Sequence, residues 1–98
     1  MEPNLSLYLT NLRDNFESLS QEYGVKSLHI FGSVARGTST DKSDIDILVS
    51  FYETPSLFIL VSLETRLSRL LSRPVDLVLD TEIASYARKR IYKEMVKI

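Results

Sequence analysis

Phe31-Gly32-Ser33-Val34-Ala35-Arg36-Gly37, followed by Ser43-Asp44-Ile45-Asp46-Ile47-Leu48-Val49, is the stretch on which the reading of this chain turns. A Gly-Ser pair closes one apolar run. After ten intervening residues two carboxylates open another, spaced i and i+2. In a strand, residues i and i+2 point to the same face, so Asp44 and Asp46 project side by side from one sheet edge. Like charges that close raise each other's pKa or recruit a cation. Paired carboxylates beside a turn able to cradle phosphate suit metal-assisted transfer on a nucleoside triphosphate.

Outward from that stretch the patterning is regular. Upstream, Leu5, Leu9, Leu12, Phe16, Leu19 and Tyr23 recur at three- and four-residue steps, which predicts an amphipathic helix stopped by Gly24. Val25 to Phe31 reads as a strand. Gly32 to Ser43 reads as a Gly/Ser/Thr-rich loop with one helical turn at Val34–Gly37, and Ile45 to Phe51 as a second strand. Downstream, a helical pattern runs from Pro55, suited to a first turn, to Leu71. Arg73-Pro74 breaks it, and Val75 to Leu79 is a third strand. Asp80 or Thr81 is placed to cap a last helix carrying Ile83, Ala87, Ile91 and Met95 on one side. The expected class is α/β (α+β), a small mixed β-sheet with flanking helices in the order α-β-β-α-β-α.

Topology can be tested against chemistry. Gly32 and Ser33 end strand one, while Asp44 and Asp46 begin strand two, so these strands must run antiparallel to share a site. Asp76 begins strand three and joins the same edge only if strands two and three are parallel. The intervening helix supplies the crossover such a pair needs. All the suspicious polar groups then converge.

Composition removes other classes. The chain has 98 residues, 44% hydrophobic and 26% charged, the profile of one ordinary globular domain. With no cysteine, thiol catalysis, disulfides and Cys-based zinc sites are excluded; a single histidine cannot build a His-rich metal centre. A formal net charge of −1 argues against broad nucleic-acid capture. No apolar run approaches a membrane span. Met1-Glu2-Pro3-Asn4 does not resemble the start of a signal peptide, so the expected location is cytoplasmic.

Asp44, Asp46 and Asp76 form an all-oxygen donor set of the kind Mg²⁺ or Mn²⁺ takes, with waters and substrate phosphates completing the shell. Two ions about 3.5–4 Å apart would clamp the attacking and leaving oxygens. Alone, an Asp-x-Asp is an ordinary turn element; the Gly-Ser upstream and Ile47-Leu48-Val49 downstream make it a site. Asp76 is a polar residue within an apolar strand, and Asp80 competes with it but is better placed for capping. Gly32 lets backbone approach phosphate, and Ser33 offers a hydroxyl and an N–H. Arg36 is a candidate triphosphate contact and Lys42 a weaker one. Gly32-x-x-x-x-Gly37 nearly fits a Walker A loop, but Thr38-Ser39 stand where Lys-Ser/Thr is required. His29 reads as an ordinary strand residue. Arg88-Lys89-Arg90, Lys93 and Lys97 read as a solvated face.

The Gly32-Ser33, ten-residue, Asp44-x-Asp46 arrangement resembles the signature of the DNA polymerase β-like nucleotidyltransferases. Its fuller spelling, Gly-Ser-x-Ala-Arg-Gly ending in Ser-Asp-Ile-Asp-Ile, is similar to the minimal nucleotidyltransferase (MNT) branch. The resemblance spans nearly the whole chain and implies one minimal nucleotidyltransferase domain over residues 1–98. It also implies phosphate binding by Gly32 and Ser33, and metal binding and catalysis by Asp44, Asp46 and Asp76. Members of this branch are often antitoxins encoded beside a HEPN-domain ribonuclease toxin. The resemblance thus implies Mg²⁺-dependent transfer of AMP from ATP to a tyrosine of that toxin. Larger relatives carry extra domains for tRNA, antibiotics or DNA; here the missing parts are expected from a partner or another subunit, which favours a protein acceptor. Two readings stay open beside it: a binding-only antitoxin that covers its toxin, and a small-molecule (antibiotic) nucleotidyltransferase working as a homodimer.

Overall fold

Helix α1, Leu5–Tyr23, buries Tyr8, Leu12 and Leu19, the inward positions of its three- and four-residue spacing. It stops at Gly24, whose φ of +76° is a conformation that favours glycine. The computed structural model describes residues 5–40 and 42–98. The Met1-Glu2-Pro3-Asn4 segment read above for a leader lies outside them. Strand β1 is Val25–Phe31, helix α2 Gly32–Arg36, β2 Ile45–Phe51, α3 Leu57–Leu71, β3 Val75–Leu79, α4 Ser85–Glu94 and β4 Val96–Lys97, with a 3₁₀ turn at Asp80–Glu82. No helix among the described residues is long and apolar enough to cross a membrane.

The four strands form one mixed sheet in the order β3-β2-β1-β4. β1 runs antiparallel to β2, with Phe31 opposite Asp46. β2 runs parallel to β3, with Asp46 opposite Asp76. Both relations are those the shared site requires, and α3 provides the crossover between the parallel pair.

Period-2 alternation divides the sheet into two unlike faces. Ile45, Ile47 and Val49 of β2 and Val75 of β3 turn to one face, where they pack with Leu28 and Ile30 of β1 and with Leu12, Leu19, Leu63, Leu67 and Leu71 of the α1 and α3 helices. The intervening residues turn the other way. There Leu48 packs with Ile83 and Ile91, flanked by Phe31, Val78, Ala87 and Met95. Asp46 lies two residues before Leu48 and Asp76 two before Val78, so both carboxylates stand on this second, thinly covered face.

The structure corrects several boundaries. The helical turn in the Gly-Ser loop begins at Gly32, not Val34. Pro55 precedes α3 rather than opening it; Ser56 is the cap, its Oγ accepting from the Ile59 N–H at 3.2 Å. Neither Asp80 nor Thr81 caps the last helix. They belong to the 3₁₀ turn, and α4 begins only at Ser85. Ile83 therefore precedes that helix and Met95 ends it. The short β4, which the sequence did not announce, pairs with β1 through His29–Lys97 and Ile30–Val96.

Candidate active site

Gly32 is the pivot between strand and site. Its φ is +73°, and a Cβ built on it would collide with the Asp46 carboxylate, whose Cγ would lie only 3.0 Å away. A glycine is therefore needed here on two grounds, backbone conformation and close approach. α2 starts at this residue and is capped by Gly37, whose N–H donates to the Val34 carbonyl at 3.2 Å. The first N–H groups of such a helix have no acceptor within it.

The segment carrying Asp44 is pinned from below. Arg73 donates to the carbonyls of Thr40 (3.1 Å) and Ser43, and to the Tyr8 hydroxyl at 3.3 Å. Thr40 and Ser43 also close on each other: the Thr40 N–H donates to Ser43 Oγ at 2.9 Å, and the Ser43 N–H to the Thr40 carbonyl at 3.0 Å. The Ile45 N–H then reaches the Pro74 carbonyl at 2.9 Å, starting the β2–β3 register that sets Asp46 beside Asp76. Arg73, read from the sequence only as a breaker, thus helps fix the position of the Asp-x-Asp.

Gly32, Arg36, Asp46 and Asp76 line one open cleft of about 350 Å³. Its other wall is the chain's end: Glu82, Ile83, Ala84, Ala87, Arg90, Ile91 and Glu94. Ser33, half-buried on α2, and Asp44, exposed just before β2, are not part of that lining. Asp44 nevertheless acts on the cleft. Burial raises the pKa of Asp46, the carboxylates of Asp76, Asp44 and Glu94 raise it further, and Arg36 opposes them. Positive charge arriving beside that carboxylate favours its ionised form.

Among the described residues no three His, Asp or Glu side chains are drawn into a ready-made cage. The donors form instead an open carboxylate edge, Asp46 in register with Asp76 and Asp44 near enough to be felt. Mg²⁺ is usually held in this way, through one or two carboxylates, with waters and substrate phosphates in the remaining positions. The excess of negative charge around Asp46 and the all-oxygen donor set fit such an ion.

The remaining sequence candidates lie elsewhere or have other partners. Asp80 Oδ1 accepts from the Tyr92 hydroxyl at 2.8 Å, a tie between the 3₁₀ turn and α4. Lys42 is exposed in the loop. His29 lines a separate groove of about 570 Å³ farther along the same face; burial first, and then Lys97, lower its pKa, against the pull of Asp80. Arg88, Lys89, Arg90, Lys93 and Lys97 are all exposed, although Arg90 also reaches the cleft. The sequence reading missed Glu94. It binds Arg36 at 2.8 Å from fifty-eight residues away in sequence, and no local pattern announces such a pair.

Comparison with known proteins shows what the chain as a whole is similar to. The profile of the nucleotidyltransferase domain family matches residues 10–98. A Methanocaldococcus jannaschii protein named as a candidate protein adenylyltransferase is 47% identical over 88 residues, covering 89% of this chain and 90% of that one. The protein adenylyltransferase MntA of Thermococcus cleftensis is 39% identical over 82 residues, 84% of this chain and 83% of its own. A solved structure described as a candidate minimal nucleotidyltransferase superposes with a TM-score of 0.81 at 32% identity, over 98% of this chain and 97% of that one. A crystal structure of a toxin–antitoxin with AMP-PNP contains a chain that superposes with a TM-score of 0.69 at 25% identity, over 97% of this chain and 72% of that one.

Proposed function

Because this chain belongs to the nucleotidyltransferase domain family, we propose that it transfers AMP from ATP to a hydroxyl of a partner protein, as the antitoxin of a toxin–antitoxin pair. The observation that carries the reading is the placement of Asp46 opposite Asp76, against a glycine that has no room for a side chain. That edge has the shape and charge for a cation-bridged polyphosphate. The relatives named as protein adenylyltransferases support a protein acceptor, and the neighbouring toxin–antitoxin structure with AMP-PNP supports the pairing. The family resemblance further suggests a HEPN-domain ribonuclease as the partner and a tyrosine as the acceptor.

In this reading Gly32 and Ser33 hold the phosphates and Arg36 supplies a positive charge at the cleft. Asp44, Asp46 and Asp76 would hold Mg²⁺, which screens the phosphate charge. The acceptor hydroxyl attacks the α-phosphorus. The new oxygen–phosphorus bond forms as the bond to the β-phosphate breaks, and pyrophosphate leaves in line. Asp76, exposed and beside Asp46, takes the hydroxyl proton. The wall formed by Ile83, Ala87 and Ile91 is short, and the cleft at the carboxylates is open. A flexible partner segment bearing an exposed hydroxyl suits such an open cleft.

Intact-mass analysis of the partner after incubation with ATP and Mg²⁺ tests this. A gain corresponding to AMP, lost with Asp44→Asn and on removing Mg²⁺, is the expected result. An unmodified partner with label on an antibiotic or RNA overturns the protein acceptor, and an unmodified but inhibited partner indicates a binding-only antitoxin. If Asp80→Asn proves damaging and Asp76→Asn harmless, the third carboxylate is wrongly assigned.

A further inference from the structure

The Arg36–Glu94 pair ties α2 to α4 across the cleft, and the tie is lopsided. Arg36 engages Glu94 through Nη1 alone, and its side chain is 48% exposed. A guanidinium has five donors, so most of its capacity faces solvent. Glu94 is only 14% exposed and accepts through Oε2. Its Oε1 is buried with no hydrogen-bond partner.

A carboxylate with one oxygen buried and unpaired is a costly way to fasten a helix. The contact of Ile91 with Leu48 shows the cheaper apolar kind in the same region. Glu94 also adds negative charge where the site already holds too much, beside Asp46 and Asp76. What this arrangement provides is a weak hold on a cation, readily displaced by a better anion. A nucleotide polyphosphate is such an anion: its oxygens match the planar guanidinium fork and can take two parallel hydrogen bonds from it. Arg36 needs only a side-chain rotation to make the exchange, because it is exposed and lines the same cleft as the carboxylates.

We propose that Glu94 is a positioning residue that parks the Arg36 guanidinium beside the cleft, and that the polyphosphate of an incoming nucleotide takes Arg36 over from it. This rests on the nucleotidyltransferase reading and deepens it. Once Arg36 has moved, Glu94 has lost its hydrogen-bond donor and faces added negative charge. α4 then keeps its apolar contacts through Ile91 and the Tyr92–Asp80 hydrogen bond. Nucleotide binding thereby loosens the wall that the acceptor must pass.

The test is a titration of the full chain with a non-hydrolysable ATP analogue and Mg²⁺, using the unmodified protein, Glu94→Gln, Arg36→Gln and the double variant. Glu94→Gln should bind roughly three- to five-fold tighter, the scale of one partly exposed ion pair. Arg36→Gln should bind more weakly, and the gain from Glu94→Gln should vanish in the Arg36→Gln background. A merely structural tether would give no tightening. Equal or weaker binding by Glu94→Gln overturns the exchange, as does a gain that persists without Arg36. Failure of the unmodified protein to bind the analogue overturns the nucleotidyltransferase reading itself. The Arg36 Nε–H NMR resonance of the unmodified protein gives a reading that does not depend on any variant folding: it should shift on nucleotide addition, and an unmoved resonance contradicts the proposal.

Discussion

The two faces of the sheet are built for different purposes from the same strands. On the face toward α1 and α3, Leu12, Leu19, Ile30, Ile45, Ile47, Val49, Leu63 and Leu67 are completely buried, and among the described residues no polar or charged residue is buried. On the face toward α4 the buried apolar cluster among the described residues is Leu48, Ile83 and Ile91, and carboxylates stand where the other face has aliphatic side chains. Alternation along β2 makes the division residue by residue: Ile45 and Ile47 inward, Asp44 and Asp46 outward. The first face supplies stability and rigid strands. The second accepts repulsion between like charges, tolerable because the first face keeps the backbone in place.

The largest effects should separate the faces by stability. Leu67→Ala should cost about 2–5 kcal/mol in denaturant unfolding, since the site is fully buried between helix and sheet. Ile91→Ala, in the small cluster under α4, should cost less than about 2 kcal/mol because that wall can settle inward. Equal costs would mean that the second face bears as much of the stability as the first.

Nucleotide binding should show the opposite ranking. Gly32→Val should remove most affinity for ATP, because its side chain would occupy the space of the Asp46 carboxylate. Forcing a non-glycine residue to a φ of +73° adds a stability cost of about 1–2 kcal/mol. Ser33→Ala should be milder: losing one hydrogen bond to a charged group is worth roughly 1.5–3 kcal/mol, so transfer slows without disappearing. An ATP titration of both variants checks the order, and tighter binding by Gly32→Val would contradict it.

Much of this was legible because it is local. The i, i+2 carboxylates, the flanking β-branched runs and the 3.6-residue spacing of Leu5 to Tyr23 each need only neighbouring residues to be read. The chain order then required β1 antiparallel to β2 and β2 parallel to β3 if one site was to form, and the register met that demand. What could not be read depends on distant partners or on small energetic choices. Arg36 finds Glu94, and Arg73 finds Tyr8 across sixty-five residues, only after the sheet is assembled. Ser56 caps α3, which starts after Pro55 rather than at it, because the Ser56 hydroxyl can satisfy the otherwise unpaired Ile59 N–H. Asp80, a good cap by type, lies too far upstream of α4 and is bonded by Tyr92 instead. Two residues of β4 carry no periodicity to recognise.

A smaller effect should appear with pH. Burial and the neighbouring carboxylates place the folded-state pKa of Asp46 above its unfolded value. The folded form therefore holds that proton more tightly, and its contribution to stability is present below the ordinary carboxylate value and lost as pH rises through the raised one. In chelator, from about pH 4 to pH 7, the melting temperature of the unmodified protein should fall relative to that of Asp46→Asn. A constant difference, or one that moves the other way, would show that the second face carries no such charge strain.

The most direct measurement joins the two properties in one sample: AMP transfer to the partner protein and thermal stability, both determined on Asp46→Asn beside the unmodified chain. If the carboxylate face exists for chemistry, transfer is abolished while the melting temperature stays equal or rises, since a repelling charge has been removed without a change of shape. Transfer at a near-native rate, or a loss of transfer that comes with unfolding, would contradict the account.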